Sequence, residues 1–117
     1  MNELLHTLNS IPEYGHLIAS LSRSESAAVT GIGQINRSHM IAGLHKHTAR
    51  PIVVVCQDDM AAKRLQEELK AFLGMTAPIL PSRELTLYDS AVVSRGWEQK
   101  RLRQLFDLIS GKTALQI

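Results

Sequence analysis

Residues 27–47 read AAVTGIGQINRSHMIAGLHKH, and the reading of this stretch decides the fold. Residues 27–30 form a short apolar run of strand type, Gly31 and Gly33 supply a turn, and a helix is expected from about Asn36. A phosphate-binding loop has the layout G-x-x-x-x-G-K-[ST] between a strand and a helix. Counted from Gly31, the second glycine, the lysine and the hydroxyl residue fall on Asn36, Arg37 and Ser38. The spacing is kept, but two chemically necessary residues are replaced.

The replacements have physical consequences. A glycine at the second position lets the backbone approach a phosphate closely, and Asn36 puts a side chain there. The lysine of a working loop is a compact point charge that reaches the β- and γ-phosphates. Arg37 carries a broad planar fork instead. Ser38 keeps a hydroxyl able to hold Mg²⁺. Gly31, Gly33, Asn36, Arg37 and Ser38 therefore read as a vestigial phosphate loop, with no cofactor expected on it. The plainer alternative is an ordinary strand-to-helix turn that matches the pattern by chance.

The 117 residues are enough for one domain with a buried core. Hydrophobic residues at 44% and charged residues at 21% are ordinary for a soluble globular protein. A net charge of +2 is too mild to announce nucleic-acid binding. The single cysteine, Cys56, excludes an internal disulfide and fits a reducing compartment. It ends a valine run, where a buried strand residue is the simpler reading than a nucleophile. No signal peptide and no apolar run of membrane-spanning length is present, so a cytoplasmic location and no membrane partner are expected.

Upstream of the loop, residues 2–8 carry Leu4, Leu5 and Leu8 at helical spacing, and Ser10 with Pro12 opens a second helix backed by Leu17, Ile18 and Leu21. Downstream, the helix after the loop should run from about Arg37 to Thr48 with Met40, Ile41 and Leu44 inward. His39, His45 and His47 invite a metal reading. At about 100° per residue, His45 and His47 point roughly 160° apart, so one helix cannot aim all three at one ion. Solvated helix histidines, with no metal, are expected.

Residues 52–55 are continuously apolar and β-branched, the pattern of a strand buried on both faces. Asp58 and Asp59 follow, suited to a helix start rather than to a magnesium pair. The next helix shows the clearest periodicity: Ala62, Leu65, Leu69, Phe72 and Leu73 share one face, Lys63, Arg64, Glu67, Glu68 and Lys70 fill the other, and Gly74 caps it. Residues 77–80 suggest a third strand closed by Pro81, and a loop follows over 82–90. A last helix is expected over about 94–109, with Leu102, Leu105, Phe106 and Ile109 inward. TALQI at 113–117 has the look of a fourth strand with no helix after it, as in a piece of a longer protein.

Strand and helix alternate, so the expected fold class is α/β: a three-layer parallel sheet with flanking helices and right-handed crossovers, like a P-loop NTPase with a degenerate nucleotide loop. The expected division is 1–26 for helices leading in and 27–117 for the α/β unit, truncated at its last strand. No catalytic grouping of nucleophile, base and acid can be assembled. From residue 91 on there are five bases and two acids. Lys100, Arg101 and Arg103 do not share one narrow face, so a solvated helix surface is expected. Trp97 and Tyr88 nearby leave base stacking conceivable, although packing of Trp97 is more usual.

Taken together, VTGIGQINRSHMIAGL (29–44), PIVVVCQDDMAAKRLQEEL (51–69), LPSRELTLYDS (80–90) and EQKRLRQL (98–105) resemble the N-terminal region of the bacterial transcription-repair coupling factor (Mfd) family. That region is itself similar to domain 1a of UvrB, a helicase-like excision-repair subunit. The resemblance implies a non-catalytic UvrB-like scaffold. It would belong to a protein that displaces RNA polymerase stalled at damaged DNA and recruits UvrA for nucleotide excision repair. It also implies that ATP and Mg²⁺ belong to a distant motor region. Partners of this stretch would be other domains of the same protein, with UvrA, RNA polymerase and DNA engaged through the full-length protein. Two other readings stay open: an active nucleoside triphosphatase lobe with a divergent loop, and a small DNA-binding module.

Overall fold

A computed structural model describes residues 2–82 and 95–117. Among them the chain forms α1 (Asn2–His6), a 3₁₀ turn (Thr7–Ser10), α2 (Pro12–Ser22), α3 (Gln34–His47), β1 (Ile52–Val53), α4 (Asp59–Leu73), α5 (Arg95–Ile109) and β2 (Leu115–Gln116). Most of the loop expected at 82–90, with Tyr88, lies outside the described residues, as does Ser94.

The expected three-layer α/β sheet does not form. The described residues hold five α-helices and one two-stranded parallel sheet, so the P-loop NTPase-like class is overturned. The physical reason lies in the short apolar runs. Residues 27–30 join no ladder; two of the four are alanine, which packs poorly on a pleated surface. Of 52–55, only Ile52 and Val53 pair, with Leu115 and Gln116. In 77–80, Pro78 has no amide hydrogen to give.

The 113–117 expectation holds in part: β2 is a strand, parallel to β1, with Ile52 N–H donating to Ala114 O and Val54 N–H to Gln116 O at 2.9 Å each. On its other side the Ile117 N–H donates to Pro78 O (3.0 Å) and the Leu80 N–H donates to Ile117 O (2.7 Å). β2 thus lies between β1 and an irregular segment, and Leu115 and Ile117 are buried.

The helices build most of the core. α4 obeys its pattern: Ala62 and Leu69 are buried, and Leu65, Phe72 and Leu73 pack around them. Asp58 caps its start, Oδ1 accepting from the Ala61 N–H at 2.7 Å, and Gly74 ends it in the left-handed region at φ 68°. α3 lies against α4, but its inward side is Ser38, Ala42 and Gly43, with Met40, Ile41 and Leu44 only half-buried. α1 and the 3₁₀ turn bring Leu5 and Leu8 into the core. Gly43 is required there: a Cβ would overlap the Leu8 side chain and come within 2.9 Å of Tyr14 Oη.

α5 departs from its pattern. Leu102, Phe106 and Ile109 are exposed rather than inward, and Leu105 is half-buried. The side nearer the body carries Trp97, Arg101, Gln104 and Leu108. A two-stranded sheet offers no broad apolar face for the helix to cover, so hydrogen bonds orient it instead: Arg101 Nη1 donates to Pro81 O, and Gln116 Nε2 reaches Gln104 Oε1 at 3.5 Å.

Candidate functional site

The five loop residues sit between α2 and the first turns of α3. Gly31 has φ 76°, the left-handed region that favours glycine. Gly33 is the N-cap of α3, extended at φ −69° and ψ 167°. The helix begins at Gln34, two residues before the expected start at Asn36. That shift matters for phosphate binding. A cradle needs successive loop amides converging on one anion. Here Asn36 already stands in the first helical turn, and the Arg37 N–H is spent on Gly33 O at 3.1 Å. What remains is an ordinary helix start with its first amides unpaired by the helix itself. Asn36 and Arg37 are exposed.

Ser38 points the other way. It is 1% exposed, and its hydroxyl donates to a carboxylate oxygen of Glu68 on α4. Glu68 also accepts from Gln34 Nε2 at 3.1 Å, while Gln34 Oε1 accepts from Arg64 at 3.4 Å. The four side chains form a polar chain joining α3 to α4. Its chemistry runs against a triphosphate: the hydroxyl that would ligate Mg²⁺ is already committed, and its partner is an anion. In the sequence Glu68 reads as part of the solvated face of α4. Nothing in one sequence ties position 38 to position 68.

Beside the loop is a cavity of about 670 Å³ whose apolar walls include Leu8, Ile11, Leu17 and Val29 and whose polar walls include Glu13, His16, Asn36 and His39. Among the described residues, its walls bring no lysine or arginine to meet a polyphosphate. At the far end of the sheet, Asp58 is committed to its cap and Asp59 Oδ1 accepts from Ser82 Oγ at 3.3 Å. Burial and the nearby Asp58 charge push the Cys56 thiol up, which disfavours the nucleophilic thiolate.

The histidines are not simply solvated, which corrects the expectation. His39 Nε2 contacts Leu4 O at 2.6 Å and its ring stacks on Phe72 at 5.1 Å. His47 Nδ1 pairs with Tyr14 Oη at 2.9 Å. His45 is partly buried with Nδ1 unpartnered; burial first, then the Lys46 charge, lower its pKa. Among the described residues no group of three metal-ligating side chains comes together. Trp97 packs near the Arg101 guanidinium, 5.9 Å from the ring centroid. No described helix is long and apolar enough to cross a membrane.

Comparison with known proteins finds no matching family model and no matching solved structure. Among curated proteins, the chain is 30% identical over 105 residues to the transcription-repair-coupling factor of Myxococcus xanthus. The match covers 84% of this chain and 9% of that protein, so the chain spans less than a tenth of its relative. It supports a general relation to that protein.

Proposed function

We propose that this chain is a non-catalytic scaffold segment of a transcription-repair coupling factor. In that reading the whole protein displaces RNA polymerase stalled on damaged DNA and recruits UvrA, with ATP and Mg²⁺ used by a motor elsewhere. The segment itself binds no nucleotide and positions neighbouring domains. One observation carries the proposal: the loop with phosphate-loop spacing is wound into α3, and its Ser38 hydroxyl is held by Glu68. The likeness to the Myxococcus xanthus protein supports the setting.

Isothermal titration with Mg-ATP tests it, with retention on duplex DNA measured alongside at several salt concentrations. The expected result is no saturable heat and no salt-dependent retention. Saturable binding abolished by Arg37→Ala would turn the reading towards a triphosphatase lobe. Salt-sensitive retention on DNA would turn it towards a nucleic-acid module.

A further inference from the structure

α5 carries an apolar stripe on the side away from the core. Leu102, Phe106 and Ile109 recur at i, i+4 and i+7, within roughly 60° of one another at 100° per residue. They are 65%, 59% and 86% exposed. The opposite side is committed by the Arg101–Pro81 hydrogen bond and the Gln104–Gln116 contact, so the stripe is not a core face turned the wrong way.

Bases outnumber acids around the stripe, three to two. Arg95 lies two turns before Leu102 on the same line, and Arg103 flanks it. Lys112 Nζ stands 5.7 Å from the Phe106 ring centroid. Glu98 is the acid on that side of the helix, and Asp107 faces Arg103 at 3.4 Å. An apolar centre with a basic rim selects its complement in both respects.

We propose that the outward face of α5 docks an acidic amphipathic helix from another protein or domain. Apolar residues of the partner, one turn apart, seat on Leu102, Phe106 and Ile109. Its flanking carboxylates meet Arg95, Arg103 and Lys112. Charge decides among the occupants. A second copy would bring the same surplus of bases, three against two acids, onto itself. A bilayer would gain about 1 kcal/mol per base, and stable anchoring takes two signals where this face has one short stripe. A nucleic-acid backbone would leave the apolar centre unused. The inference names a partner chemistry beyond the scaffold reading and stands on α5 alone, so the nucleotide titration does not bear on it.

The test is fluorescence anisotropy with two labelled synthetic helices. Both carry leucines at i, i+3 and i+7; one is flanked by glutamates, the other by lysines. The glutamate helix is expected to bind saturably and more weakly as salt rises, and the lysine helix is not. Phe106→Ser should weaken binding by at least about tenfold. Arg95→Glu with Arg103→Glu should reverse the preference between probes. All three sites are exposed, so circular dichroism should be unchanged. The proposal is overturned by any of four results: no saturable binding at millimolar probe; equal binding of both probes; indifference to Phe106→Ser; or tighter capture by anionic vesicles, duplex DNA or a second copy seen in sedimentation.

Discussion

Replacing Ser38 with alanine removes one hydroxyl and tests whether that residue now serves packing rather than phosphate. The side chain is 1% exposed and bonded to a carboxylate. Hydrogen bonds to charged groups contribute about 1.5–3 kcal/mol. Glu68 is half-buried, so water can replace part of that bond, and about 1–2 kcal/mol is the fair share. Alanine is the better helix former by roughly 0.5 kcal/mol, which offsets some of the loss. The net expectation is a destabilisation of about 1 kcal/mol. Urea unfolding followed by circular dichroism should show the midpoint falling by about 0.5–1 M at unchanged slope. Coupling separates this bond from a general packing effect. In a double-mutant cycle with Glu68→Gln, the two changes should fall short of additivity by about 1 kcal/mol. Additivity within about 0.3 kcal/mol, or a neutral Ser38→Ala, would show that the Ser38–Glu68 bond does not join α3 to α4.

Gly43→Ala should destabilise by about 1 kcal/mol, overpacking against Leu8 and Tyr14 outweighing the gain in helix propensity, and amide exchange should quicken first in α1 and α2. Asp58→Ala removes the bond to the Ala61 N–H and should cost about 1 kcal/mol in a urea midpoint measurement. His45 takes a proton less readily folded than unfolded. Its contribution is therefore full above about pH 6.5 and is lost as pH falls through its lowered folded value. His45→Gln should lessen the fall in stability between about pH 7 and 5, measured by urea unfolding at each pH.

Local signals were legible wherever chemistry and spacing agreed along one helix. The five-residue face of α4, its Asp58 cap and its Gly74 end could all be read from order alone. The strand character of 113–117 was also visible, because the short run follows the Gly111 turn. The sheet was not legible. Four-residue apolar runs such as 27–30 and 77–80 say nothing of partners, and pairing is a long-range property. α5 failed for a related reason: an amphipathic pattern states which face is apolar, not whether anything exists to cover it. At the candidate site, the loop's departures at Asn36 and Arg37 were plain in the sequence. The capture of Ser38 by Glu68 was not, since 30 residues separate them.

Whether the loop before α3 can take a nucleotide is read residue by residue in a ¹⁵N–¹H correlation spectrum recorded while Mg-ATP is titrated to millimolar excess. If the first turn of α3 is closed, the amides of residues 31–38 keep their positions throughout. Saturable shifts centred on Asn36, Arg37 and Ser38 would contradict the account and make this loop a working nucleotide site.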